Sequence, residues 1–214
     1  MSAAKSPKSL KMMSLKCKIC RRLGFSICSS PKCALRKKPY PPGQKGKRRP
    51  RALSEFGKEL KEKQKLKYWY NLTERQFRKY VKGVLSSPQK GEDAVTLLIR
   101  KLERRLDSVI FRLGFATSRP QSRQLVSHGH FLVNKRAVNI PSFEVKIGDI
   151  IELSLKSKEK IISQNLKASL KKHKPPSWLE LDIEKFDGKV KGLPSLEEIL
   201  PPIEIPLIFE YYSK

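Results

Sequence analysis

The stretch Arg104–Leu155 constrains the fold most, because its apolar period changes from helical to extended within one continuous run. Leu98, Leu102, Leu106, Val109, Ile110 and Leu113 recur at helical spacing and predict one helix; Gly114 follows, where a terminating residue must take the left-handed conformation. A second helix is expected from Ser118. Ser118 and Gln121 have capping-box spacing, and Pro120 in the first turn loses no needed N–H. In that helix Arg119, Arg123 and Ser127 lie four apart and share a face, Leu125 and Val126 turn inward, and Gly129 ends it. The period then becomes two. Phe131–Val133 and Arg136–Ile140 flank Asn134-Lys135 as a hairpin would, Phe143, Val145 and Ile147 alternate with polar residues, and Ile151, Leu153 and Leu155 do so after Gly148-Asp149. The expected unit is two short helices on a small sheet, with a basic helix face beside His128 and His130.

Four cysteines, Cys17, Cys20, Cys28 and Cys33, fall in one short segment as C-x2-C-x7-C-x4-C, and the chain has no others. Four thiolates close a tetrahedral shell around Zn²⁺, and the neighbouring Lys18, Arg21, Arg22 and Lys32 favour the thiolate form. Two disulfides are the competing reading; nothing suggests export, and a reducing cytosol opposes them. The same ligands can hold an iron–sulfur cluster, which is the alternative cofactor. A closed shell leaves no position for substrate, so the site reads as structural.

Lys and Arg number 47 against 20 acids, a net +27, while only 38% of residues are hydrophobic. Such a chain repels itself unless a polyanion compensates, and no apolar run approaches a membrane span. Nucleic acid is the favoured partner. The charge is uneven: from Trp178 to Lys214 eight acids face four bases, leaving a net −4 there. The basic part is expected to face the nucleic acid and the acidic tail to face away from it or toward a basic neighbour.

Along the rest of the chain, residues 1–16 are basic and Ser-rich and read as a flexible arm, with a faint resemblance in composition to an organellar transit peptide. Arg36–Arg51 holds four prolines and two glycines among its bases, which excludes a regular helix and suits an extended strap along RNA backbone. Ser54 caps a helix through Tyr70 with Leu53, Phe56 and Leu60 on its inner side. Thr73 and Gln76 form a capping box with Leu72 and Phe77 at the staple positions; Phe77, Tyr80, Val81, Val84 and Leu85 make one apolar stripe. Ile161, Ile162, Leu166 and Leu170 are compatible with a helix ended by Pro175-Pro176. Trp178–Asp182 alternates as an edge strand would, Leu193–Pro202 suits a short acidic helix, and Ile203–Tyr212 is strongly apolar.

RLDSVIFRLGFATSRPQSRQLVSHGH and VNKRAVNIPSFEVKIGD resemble the small RNA-binding module named after ribosomal protein S-four. KCKICRR, SPKCALRKKPYPPGQKGK, LSEFGKELKEKQKL, LTERQF, Pro176–Leu179 and the closing IFEYYSK extend the resemblance to the small-subunit ribosomal protein S-four family, in order, from Lys16 to Lys214. Two departures are local. Pro120 replaces a basic residue usual in that helix's first turn, and Lys135 stands where the family commonly has Gly, which argues against a tight type I′ turn. The resemblance implies an α+β fold: a metal-knuckle N-terminal segment, a mostly helical first domain, and an inserted αβ RNA-binding module. The expected divisions are 1–16 (arm), 17–51 (knuckle and strap), 52–96 completed by 192–214 (helical domain), and 97–191 (RNA-binding domain, core 104–155).

Charge, patterning and resemblance together nominate RNA-binding residues. In the strap they are Arg36, Lys37, Tyr40, Gln44, Lys45, Lys47, Arg48, Arg49 and Arg51. In the helical domain they are Lys63, Lys65, Lys67, Arg75 and Arg78. In the module they are Arg105, Arg112, Ser118, Arg119, Gln121, Arg123, Gln124, His128, His130, Asn134 and Arg136. By resemblance the partners are the 5′ region of small-subunit rRNA at a multi-helix junction, where the family nucleates assembly, messenger RNA near the channel entrance, and neighbouring ribosomal proteins. Neither a membrane nor a small-molecule substrate is expected, and the ribosome would be cytoplasmic or, alternatively, organellar. An enzyme would have to be assembled from His128, His130 and Asp149, and no unassigned stretch is long enough for a separate catalytic domain. A zinc-dependent DNA-binding regulator is disfavoured because the bases spread along the chain instead of marking one recognition helix.

Overall fold

The computed structural model describes residues 17–28, 30, 32–44, 52–86, 93–154, 166–167, 170–171, 173–199 and 203–213. It divides into Met1–Pro50 and Arg51–Lys214. In the first unit, helices α1 (Cys17–Leu23) and α2 (Ala34–Lys37) bury Ile19, Cys20, Leu23, Ile27 and Cys33. Among the described residues of this unit, two of the five buried side chains are cysteines.

Cap chemistry sets the helices of the second unit. Ser54 Oγ accepts the Gly57 N–H and starts α3 (Glu55–Trp69). At α4 (Glu74–Leu85), Thr73 Oγ1 accepts the Gln76 N–H while Gln76 Oε1 accepts the Thr73 N–H, the reciprocal box expected. Phe77, Val81 and Val84 of its stripe are buried. The inner face of α3 differs from expectation. Leu53 and Phe56 are 50% and 55% exposed, and α3 buries Glu59, Lys63 and Leu66 instead. Phe56 lies on Tyr211, 5.5 Å between ring centroids, and Lys63 is buried because its charge is matched locally.

The single helix expected through Leu98–Leu113 is two: α5 (Ala94–Glu103) and α6 (Leu106–Arg112). Arg105 is extended (φ −70°, ψ 137°) and bridges Glu144, with the Val145 N–H donating to Arg104 O and the Leu106 N–H to Phe143 O. Long-range backbone bonds replace the helical ones there, which leucine spacing alone does not reveal. Gly114 ends α6 at φ +86°, as expected. Helix α7 (Arg119–Ser127) begins with a displaced box: Ser118 makes no side-chain cap bond, and Gln121 Oε1 accepts from the Thr117 N–H and hydroxyl.

Strands β1 (Phe131–Val133), β2 (Arg136–Ala137), β3 (Ile150–Leu153), β4 (Leu179–Asp182) and β5 (Asp187–Val190) form one antiparallel sheet in the order β2-β1-β3-β5-β4. β4 is an edge, as read. β5 escaped the sequence reading, and Phe143–Ile147 forms only the isolated bridge at Glu144. The β1–β2 turn has φ +49° at Asn134 and +64° at Lys135, the positive pair of a type I′ turn, despite the missing glycine. Asn134 secures it: its amide donates to Asp149 Oδ1 at 2.8 Å, and its carbonyl accepts the Ile150 N–H at 3.0 Å.

Two cores result. One joins α6, α7 and the sheet through Leu106, Ile110, Leu113, Val126, Phe131 and Ile151, with Trp178 from just before β4 and Val190 from β5. The other joins α3, α4 and α5 to the last described residues, where α8 (Leu196–Ile199) contributes Ile199, α9 (Pro206–Ser213) contributes Ile208, and Ile205 packs from just before α9. The readings for residues 1–16, Leu155, Ile161, Ile162 and 200–202 lie outside the described residues.

Candidate nucleic-acid interface and metal centre

In the first unit the sulfurs of Cys17, Cys28 and Cys33 lie within 4.8 Å of one another. Three thiols gather, where the spacing predicted four. Cys17 and Cys20 sit one turn apart on α1, and Cys20 is fully buried. It still interacts with the Cys28 and Cys33 thiols. Burial pushes the Cys28 thiol up. Burial opposes the Cys33 thiolate too, but hydrogen bonds from the Leu35 backbone, Ser26, Cys28 and Cys20 bring Cys33 down to about 7. A soft, clustered donor set with one thiol poised to ionise fits a thiophilic metal such as zinc.

Next to the cysteines, Arg21 organises the start of the strap. Its Nε donates to the carbonyls of Lys38 (3.1 Å) and Tyr40 (3.0 Å), and its guanidinium lies 4.8 Å from the Tyr40 ring centroid. Arg36, Lys37 and Gln44 are exposed and Tyr40 is half-buried. Lys45, Lys47, Arg48, Arg49 and Arg51 lie outside the described residues.

In the second unit the nominated cations divide into internal and external groups. Lys63 pairs with Glu74 at 2.7 Å, Lys67 with Glu74 at 3.0 Å and Lys65 with Glu62 at 2.6 Å, so the α3 lysines are engaged within the chain. Tyr212 also donates to Glu74, at 2.7 Å. Burial disfavours the Glu74 carboxylate, yet bonds from Lys63, Tyr212 and Lys67 outweigh it and bring it down to about 2.

Arg105 and Arg119 are corrections. Both are expected from the sequence to be RNA ligands, and both are buried, at 2% and 8% exposure. Arg105 grips Asp107 with two bonds (3.1 and 3.0 Å) and donates to Tyr80 Oη at 2.6 Å. Arg119 reaches the buried Glu103 at 3.4 Å, and its guanidinium lies 4.6 and 4.7 Å from the Phe111 and Tyr70 ring centroids. Glu103 also accepts two bonds from Arg112 (3.0 and 2.8 Å) and one from the Tyr70 hydroxyl (2.8 Å). Burial alone would protonate Glu103, but Arg119, Arg112 and Tyr70 hold its carboxyl below the ordinary value. The turn before α7 is short, so its first residue lies under α6 instead of facing outward.

What remains outward is substantial. Arg75 and Arg78 on α4, Gln121, Gln124 and His128 on α7, and Asn134 and Arg136 on the hairpin are exposed. Ser118, Arg123 and His130 are half-buried, and Arg123 donates to the Asn71 carbonyl at 3.3 Å. The His128 and His130 rings stack, 6.1 Å between centroids. Both Asp149 carboxylate oxygens are used, by Asn134 and the Lys146 N–H, so Asp149 braces turns.

Residues 11–107 match the model of the ribosomal protein S4/S9 N-terminal domain, and residues 104–151 match the S4 domain. Curated relatives named small ribosomal subunit protein uS4 cover nearly the whole chain. The protein from Caldicellulosiruptor bescii is 48% identical over 92% of this chain and 96% of its own length. Those from Kosmotoga olearia and Thermus thermophilus are 45% and 44% identical with the same coverage. The chain belongs to the uS4 family. Within that family frame Arg21, expected only to favour the thiolate form of its neighbours, also holds the backbone at Lys38 and Tyr40, a role that spacing alone does not reveal. Pairing explains the correction at Arg105: a basic residue two positions from an acid, as Arg105 is from Asp107, is as readily an internal partner as a ligand.

Proposed function

We propose that the protein is a structural component of the small ribosomal subunit that binds its rRNA. Identity of 44–48% to uS4 proteins over 92% of the chain carries this reading. The RNA surface is formed by Arg75, Arg78, Gln121, Arg123, Gln124, His128, Asn134 and Arg136, with Arg36, Lys37, Tyr40 and Gln44 in the first unit. These side chains contact backbone and shape, because the major groove of A-form RNA is closed to side chains. The target is the 5′ region of small-subunit rRNA at a multi-helix junction, where binding nucleates assembly. The strap Arg36–Arg51 lies near the entrance of the messenger channel, and the acidic tail meets a neighbouring ribosomal protein. The chain works in a cytoplasmic ribosome and does no chemistry of its own. Among the described residues no helix is long and apolar enough to cross a membrane.

The metal in this reading is Zn²⁺, held by Cys17, Cys28 and Cys33 with Cys20 as the fourth ligand. When bound it supplies a cross-link and no reaction. The residues' part is to present thiolates from α1, the loop after it and the residue before α2, and so fix the start of the strap.

The test is sedimentation of tagged protein with small subunits, followed by sequencing of crosslinked RNA. Crosslinks confined to the 5′ region of small-subunit rRNA are expected. A protein that never enters the small-subunit peak, or crosslinks to transfer RNA or DNA, would overturn the reading.

A further inference from the structure

Between α4, α5 and the loop before Glu144 lies a cavity of about 580 Å³ lined by Gln76, Lys79, Tyr80, Lys101, Ser142 and Glu144, with Gly83 at its wall. Its polar groups point to one kind of ligand. Gln76 Oε1 is already occupied by the capping box, accepting from the Thr73 N–H and hydroxyl, so only its NH₂ remains to be offered. Tyr80 Oη accepts from Arg105 at 2.6 Å, which leaves its own O–H to donate and strengthens it as a donor. Among the described residues, neither Lys79 nor Lys101 has an acidic partner, whereas Lys63, Lys65, Lys67 and Arg105 all do. Glu144, the single carboxylate in the lining, is bound to Arg104 at 3.0 Å. The Arg105 guanidinium in the wall is matched by Asp107 and adds no free charge.

The cavity is therefore rich in donors and carries two uncompensated cations. Its volume exceeds what one phosphate needs and lies in the range of sites that hold a nucleotide-sized group. We propose that it is a phosphodiester-binding cleft that takes one nucleotide of the bound RNA strand, the phosphate on Lys79 and Lys101 and the attached nucleoside against Tyr80, Gln76 and Ser142. This rests on the reading that the protein binds RNA and adds a receptor of defined position between the two cores.

Gly83 makes the test clean. It lies inside α4, and a Cβ added there meets nothing within 4 Å, so Gly83→Gln fills the cleft without altering charge or the packed core. Affinity is measured for an RNA transcript of the small-subunit 5′ domain at several salt concentrations, with wild type, Gly83→Gln, Lys79→Gln and Lys101→Gln. Each lysine variant should lower the logarithmic salt slope by about one unit. Gly83→Gln should weaken binding several-fold at unchanged slope, with a thermal midpoint no lower than wild type. A parallel titration with adenosine monophosphate distinguishes the sources of phosphate. Saturable mononucleotide binding lost in Gly83→Gln, with RNA affinity unaffected, would overturn the RNA assignment. Wild-type affinity and slope in all three variants would overturn the cleft itself. If wild type fails to bind the transcript at all, it is the ribosomal reading that falls, so the two failures are distinguishable.

Discussion

Two arginines one turn apart on α7 do different work. Arg119 neutralises a fully buried carboxylate, whereas Arg123 is half-buried and donates one long bond to a carbonyl. Removing one partner of a buried ion pair costs about 3–5 kcal/mol when the other charge is left uncompensated; Glu103 keeps Arg112 and Tyr70, so the lower end of that range applies. Arg119→Ala should therefore lose about that much stability in urea unfolding, and Arg123→Ala about 1 kcal/mol or less. Glu74 gives a second residue-level outcome. Its carboxyl is held at about 2 against an ordinary 4.5, so the folded state binds its proton more weakly than the unfolded chain does. The contribution is complete above pH 4.5 and disappears as the pH falls toward 2. Unfolding free energies measured through that window should decline less steeply for Glu74→Gln than for wild type. Arg119 departs from the expected outward face for a physical reason: helical spacing says which residues share a face, and only the neighbouring helices decide which part of that face is covered.

At the scale of elements, legibility tracked how local the determining interaction is. The capping box at Thr73, the cap at Ser54, the glycine at Gly114 and the edge strand near Leu179 depend on residues a few positions apart, and each is found as read. The break between α5 and α6 depends on backbone bonds to residues about forty positions later, and β5 depends on pairing with β3 and β4. Neither leaves a periodic trace. The cap readings separate in a mutational test. Thr73→Ala should cost about 1 kcal/mol, because it removes a hydrogen-bonded cap. Ser118→Ala should cost far less, since its hydroxyl makes no cap bond and Gln121 serves Thr117 instead. Thermal unfolding of the two variants compares them directly.

At the scale of the whole molecule, the cysteine segment and the Arg51–Lys214 body are separate units, so a metal in the first should stabilise only the first. Stripping metal with a chelator, or replacing Cys33 with Ser, should speed amide exchange in α1 and α2 and leave that of α3–α9 unchanged. Exchange followed by mass spectrometry reads both units in one experiment.

The order of synthesis meets an asymmetry in the second core. α3, α4 and α5 cannot cover Phe77, Val81 and Leu98 fully until Ile205, just before α9, and Ile208, on it, arrive. The core of α6, α7 and the sheet is complete once β5 has emerged. At about 5–20 residues per second, the gap between the two events is on the order of a few seconds. For that interval a nascent chain carries a finished module beside an open apolar face. A chain that lacks α9 keeps that face open, so the last-made helix decides whether the first-made ones are covered.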